Sequence, residues 1–238
     1  MRKIEICLSP DLLHLYEIKN KNVVIVDIFR ATSTMVTALA KGVDHIISVK
    51  ELEDCLSKKA KGYLTAGERE GKTAEGFDLG NSPVAFLKND YKGKKLALTT
   101  TNGTVAIEKV KKEAARVFIG AFLNLNATAE KLKQLPEDVL ILCAGWKGKF
   151  NLEDSLYAGG LVSTLIPAFK TECDSSIAMR VLYEQYRNDL KRILAQASHT
   201  KRLQNQNIEE DITHCLSTDL YKGMIAIMEG KKIVAQQL

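Results

Sequence analysis

Residues 23–28 read Val-Val-Ile-Val-Asp-Ile, a β-branched run of the kind that forms a strand buried on both faces. Such strands occur where helices cover a parallel sheet from either side, and the rest of the chain repeats the matching grammar. A polar loop follows the run, then a helical stretch from Thr34 to Lys41 closed by Gly42. His45 to Val49 reads as a second strand and Glu51 to Lys61 as an amphipathic helix. Tyr63 to Thr65 forms a short strand before a long polar loop from Ala66 to Asn81, and Ser82-Pro83 opens a helix. Two further units repeat the order: strand Lys95–Thr99 with helix Thr104–Ala115, and strand Val139–Cys143 with a helix from Leu152 to Ile166. Arg116 to Ile119 reads as another strand, with Asn126 opening the helix after it. From Asp174 the pattern is helical, with Ile177, Val181, Leu182, Tyr186, Leu190 and Ile193 assigned to one face. A hairpin is expected around Glu229-Gly230. The expected fold is α/β: a three-layer sandwich with a mostly parallel central sheet, helices on both faces, a C-terminal helical segment and a small hairpin.

No stretch rich in Pro, Gly or Ser divides the 238 residues, so residues 1–238 are read as a single domain. The net charge of +5 comes from lysines spread along the chain, whereas nucleic-acid binders concentrate charge on a stripe with aromatics. No nucleic-acid partner is expected. Five cysteines without a CxxC pair fit neither a disulfide framework nor a zinc site, and His14, His45, His199 and His214 are scattered. With no apolar signal core and no run long enough to span a bilayer, a cytoplasmic protein without membrane association is expected. The small residues Ala158-Gly159-Gly160 fit either a core contact or a homo-oligomer interface.

In open parallel sheets ligands bind beyond the carboxyl ends of the strands, so the polar loops there hold the candidates. Asp27 stands in an otherwise apolar strand and needs a partner: a salt bridge to Arg30, or a role as metal ligand or nucleophile. Glu68 and Arg69 lie between glycines 67 and 71. Thr99 to Thr104 joins a strand to a helix start, a natural seat for phosphate at Asn102, Gly103 and Thr104; Asn81-Ser82 offers another. Cys143 to Lys149 resembles a thiol-phosphatase loop but carries Lys149 where arginine is required, which argues against a thiolate mechanism. Glu153 and Asp154 then serve as first-turn helix acids or complete a carboxylate cage with Asp27 and Glu68. Oxygen ligands of this kind suit Mg²⁺. No DxD pair follows the first strand, and neither GxxxxGK[ST] nor GxGxxG occurs, which disfavours P-loop enzymes and dinucleotide oxidoreductases.

Taken in order, VVIVDIFRATSTMVTALAKG (23–42), TAGEREG (65–71), FDLGNSP (77–83), TTTNGT (99–104) and CAGWKGKFNLEDSLYAG (143–159) resemble the 2-phosphosulfolactate phosphatase family; SHTKRL (198–203) and DITHCLSTDL (211–220) agree more loosely. The resemblance implies a Mg²⁺-dependent phosphomonoesterase that releases sulfolactate, a step toward coenzyme M. Asp27 is then the candidate catalytic residue, and Asp27, Glu68, Glu153 and Asp154 are the candidate metal ligands. A small anionic phosphorylated substrate would be held by Arg30, Thr32, Arg69, Asn81, Ser82, Asn102, Gly103, Thr104, Gly145, Lys147 and Arg202. Two alternatives stand beside it: a phosphatase for another phosphorylated hydroxy acid, and a non-catalytic binder of anionic metabolites.

Overall fold

A computed structural model of the chain describes residues 1–69, 72–200 and 208–238. The first half contains β1 (Arg2–Cys7), β2 (Asn22–Val26), α1 (Ala31–Ala40), β3 (His45–Ser48), α2 (Leu52–Leu56), β4 (Tyr63–Arg69), β5 (Lys72–Thr73), β6 (Lys95–Thr99) and α3 (Gly103–Val110). The second contains β7 (Arg116–Gly120), α4 (Leu125–Lys133), β8 (Val139–Cys143), α5 (Leu152–Leu165), β9 (Phe169–Lys170), α6 (Asp174–Tyr186), α7 (Leu190–Leu194), α8 (Glu209–Cys215), β10 (Met224–Glu229) and β11 (Lys232–Gln237). All eleven strands join one mixed, mostly parallel sheet in the order β5-β4-β6-β3-β11-β10-β7-β2-β8-β1-β9. Every residue of β2 and β8 is buried, which requires cover on both faces, so the fold is the expected α/β arrangement.

The hairpin lies in the middle of the sheet and changes its logic. β7, β2, β8, β1 and β9 form one parallel set, and β3, β6 and β4 another. Between them β10 and β11 pair antiparallel with each other and with both flanking strands. Three reversals leave the two sets pointing in opposite directions. In a flat sheet their carboxyl ends would lie on opposite edges, with β2 and β6 five steps, or about 24 Å, apart. Yet a Cβ placed on Gly103, just after β6, would lie 2.9 Å from Asp27 Oδ2, just after β2. The sheet must therefore curl. Five steps of ordinary twist, about 20–25° each, turn one set through about 100° or more against the other. α1 occupies the hollow, touching β3, β7, both hairpin strands and α3, and Ala31 to Leu39 are all buried.

Several boundaries differ from the sequence expectation. α1 begins at Ala31 rather than Thr34, because the Thr32 amide and hydroxyl both donate to Asp27 O (2.9 and 3.0 Å) and start the helix early. β4 runs on through Glu68 to Arg69, paired with β6 as far as Gly67 and folded back on β5. The helix after Ser82-Pro83 is only a 3-10 turn, Val84–Leu87. In α6, Ile177 and Val181 are exposed; Ser176, Met179 and Tyr183 face inward instead. The cause is the glycine pair in α5: a Cβ on Gly159 would lie 2.0 Å from Met179 O, and one on Gly160 2.9 Å from the Tyr183 ring. The small-residue face is thus an internal helix contact. Among the described residues no helix is long and apolar enough to cross a membrane.

Candidate active site

Asp27 follows β2 directly, is buried, and takes the Ala31 amide on Oδ1 at 3.4 Å. Its main chain is locked by Thr32, whose hydroxyl also accepts the Asp27 N–H at 3.1 Å. Thr32 therefore braces the catalytic candidate. Burial raises the Asp27 carboxyl from 3.8 to about 6; the His199 imidazole, when protonated, and the Ala31 amide oppose the rise, while Glu153 and Glu68 add to it.

Glu153 and Asp154 open α5 and are fully buried, but they face different neighbours. Asp154 accepts the Ile28 amide on Oδ1 at 2.8 Å and the Gly145 amide on Oδ2 at 3.2 Å, tying the loop after β2 to the loop after β8. Burial, then Asp27 and Glu153, push its carboxyl well above the usual range. Glu153 Oε1 instead hydrogen-bonds His199 Nδ1, and its Oε2 has no hydrogen-bond partner among the described residues. The His199 ring sits between Trp146, 5.6 Å away, and Phe29, 6.1 Å away and edge-on. Trp146 is presented by a tight turn in which Trp146 and Lys149 exchange two 2.9 Å backbone hydrogen bonds, with Lys147 and Gly148 at φ 48° and 75°. That turn leaves Lys147 exposed, its Nζ 5.6 Å from the Trp146 ring centre.

The second parallel set contributes from across the curl. Glu68 accepts the Thr101 hydroxyl at 3.3 Å, which joins the end of β4 to the loop after β6. Arg69 donates to Glu68 O at 2.8 Å. At the start of α3, Thr104 directs its amide and hydroxyl to Thr100 (3.2 and 2.7 Å), so the turn is internally capped; Asn102 is half-buried and its side chain makes no capping bond. Gly103 is the residue that touches Asp27, and the missing side chain is what admits the carboxylate.

Arg30 does not pair with Asp27. Its Nη1 donates to Asp211 of α8, and both side chains are buried. Ser82 also donates to Asp211, at 2.7 Å, while Asn81 is buried and its Oδ1 has no hydrogen-bond partner among the described residues. Arg202 lies outside the described residues. Cys143 is fully buried and its thiol is pushed up by desolvation first and Asp154 next, which removes it as a nucleophile.

Asp27, Glu153 and Asp154 thus form a buried acidic centre beside Gly103, Gly145 and His199, and Glu68, half-buried, acts on Asp27 from the second set. Sequence reasoning missed His199 and Asp211 as site residues. Both fall in the two loosely matching C-terminal stretches, and neither lies in a strand-end loop.

Among the described residues no group of three or more His, Cys, Asp or Glu side chains stands ready-made as a metal cage. Mg²⁺ does not need one, since it is commonly held by one or two carboxylates with water and phosphate oxygens. The unpaired Glu153 Oε2 and the raised Asp27 carboxyl are the chemistry such an ion would satisfy, so the residues fit it.

The model of the family described as 2-phosphosulpholactate phosphatase matches residues 7–230. A Thermotoga maritima protein named "Probable 2-phosphosulfolactate phosphatase" is 41% identical over 216 residues, 91% of this chain and 93% of its own length. Proteins of the same name from Caldanaerobacter subterraneus subsp. tengcongensis and Clostridium acetobutylicum are 40% and 35% identical, covering 90% and 92% of this chain and 90% and 95% of their own. The match spans β2 to β10 and every acid of the centre, and on that basis the chain belongs to the 2-phosphosulpholactate phosphatase family.

Proposed function

We propose that this chain hydrolyses 2-phosphosulfolactate to sulfolactate and phosphate with Mg²⁺ as cofactor, the kind of step that leads toward coenzyme M. The observation that carries the reading is a buried cluster of acids with too few donors: Glu153 Oε2 has none among the described residues, and Asp27 is raised by its surroundings. Asp27 and Glu153 would hold the ion, with Glu68 reaching in from the second set, and its chemistry there would be charge neutralisation on the phosphoryl oxygens. Asp154 has both oxygens on backbone amides, so its part is to keep the two loops in register.

Asp27 is the carboxylate that faces the phosphoryl group. His199, oriented through Nδ1 by Glu153, carries the proton that the departing 2-oxygen of sulfolactate needs. Trp146 and Phe29 flank the ring and keep bulk water from it. The substrate has a carboxylate and a sulfonate besides its phosphate, and Arg30, Arg69 and Lys147 supply cations for them.

The test is phosphate release from 2-phosphosulfolactate and a panel of phosphorylated hydroxy acids, with Mg²⁺ and after chelation. Stabilisation by ligand without phosphate release would leave a binding protein and defeat the proposal. Trapping of a phospho-aspartyl adduct, with net retention of configuration at an isotopically chiral phosphorus, identifies Asp27 as nucleophile; inversion at phosphorus identifies it as base for water.

A further inference from the structure

Asp211 reaches the site from α8, 181 residues after Arg30. It is buried and gathers three donors: Arg30 Nη1, the Ser82 hydroxyl at 2.7 Å and the Val84 amide at 3.3 Å. One carboxylate thereby joins the segment after β2, the turn that follows Asn81, and α8. The cluster borders the acidic centre. Cys215, one turn further along α8, is fully buried, and burial is the chief cause that pushes its thiol up to about 12.

Two features separate this arrangement from an ordinary buried ion pair. Arg30 makes its side-chain hydrogen bond through Nη1 alone among the described residues, which leaves Nε and Nη2, a planar pair of donors, uncommitted. A guanidinium held on one edge and open on the other is shaped to take a carboxylate or sulfonate in two parallel hydrogen bonds. The second feature is Ser82. A serine beside a phosphate-seat candidate donates instead to Asp211, so the turn that carries it is built to fix that carboxylate.

We infer that Asp211 is a positioning residue for substrate selection: it fixes Arg30 so that the open guanidinium edge receives the anion a substrate carries in addition to its phosphate. This rests on the reading that the chain is a phosphatase for phosphorylated acids. Asp211 touches no substrate, and its effect passes through Arg30. The selectivity therefore favours esters with a second anion over esters with none.

The experiment compares Asp211→Asn with the unaltered full chain on two substrate classes: phosphorylated hydroxy acids, including 2-phosphosulfolactate, and the one-anion ester phenyl phosphate. The variant keeps an oxygen acceptor for Ser82 and Val84 but loses the charge. KM for the acid class is expected to rise by about tenfold or more with kcat within about threefold, and KM for phenyl phosphate to change less than about twofold, the size set by loss of one charge-assisted bond. Asp211→Glu should recover part of the loss. Equal effects on both classes, or none on either, would overturn the inference. Should Asp211→Asn not fold, Ser82→Ala, which removes one neutral donor to the same carboxylate, decides by the same ratio. The ratio is read on whichever phosphorylated acid the unaltered enzyme turns over, so failure on 2-phosphosulfolactate alone defeats only the substrate assignment.

Discussion

Replacing Asp27 by Asn should make the metal-free protein more stable while ending its catalysis. The carboxyl rises from 3.8 to about 6 on folding, chiefly because it is buried. At about 1.4 kcal/mol per unit, that rise is a penalty of about 3 kcal/mol on the ionised folded state. The sign runs opposite to a salt-bridged acid. Below about pH 4 the group is protonated in both folded and unfolded chains and carries no penalty. Between about pH 4 and 6 the unfolded chain loses its proton first, so the native protein loses stability as pH rises; above about 6 the penalty is complete. Asn retains an oxygen for the Ala31 amide and carries no charge. In urea denaturation with a chelator present, the variant should gain up to about 3 kcal/mol near pH 7.5 and nothing near pH 4. For a chain of this length that corresponds to roughly 6–12 °C in Tm. Mg²⁺ should then raise the Tm of the unaltered protein and leave the variant nearly unmoved. A variant less stable at pH 7.5, or a gain independent of pH, would mean that the folded chain already compensates this charge, and the argument for a cation at Asp27 would fail.

Removing the His199 imidazole (His199→Ala) should lower kcat on alkyl phosphates by about 10²–10⁴, and far less on p-nitrophenyl phosphate, whose leaving group needs no proton; equal losses would count against a proton-carrying role. Glu153→Gln should follow the same pattern more weakly if its only task were orientation, and should also weaken Mg²⁺-induced stabilisation if it holds the ion. Gly103→Ala puts a Cβ 2.8 Å from Ala31 Cβ and 2.9 Å from Asp27 Oδ2, so a loss of about 1–3 kcal/mol and of most activity is expected. Gly159→Ala, with its Cβ 2.0 Å from Met179 O, should lower Tm without changing the mass measured by light scattering, since the face it perturbs is internal.

The buried strands were legible because β2 and β8 carry apolar residues at every position, and the loops after them hold Asp27, Glu153 and Asp154, where the rule for parallel sheets directs attention. That rule was incomplete for Glu68 and Asn102. They stand at the ends of strands of the opposed set, and only the curl around α1 returns them to Asp27, a property of the whole sheet that local pattern does not encode. The exposure of Ile177 and Val181 escaped for a similar reason: apolar spacing in α6 fits two faces, and the glycines of α5, in a different helix, choose between them. His199 and Asp211 were hidden because their partners, Glu153 and Arg30, are 46 and 181 residues away. A lone histidine in a polar stretch carries no period or motif that announces such a pairing.

The hairpin β10–β11 has a consequence for how the enzyme comes into being. Both parallel sets precede it in sequence, yet each can pair with the other only through it. Until the hairpin is made, the set that bears Asp27 and the set that bears Glu68 and Gly103 present unpaired edges at β7 and β3. A partial chain that lacks the hairpin has no strand pairing to hold the two halves of its active centre together. Activity should therefore appear in one step, after the strands around Met224 to Gln237 close the gap, and the long-range pairings involved make that step slow compared with helix formation.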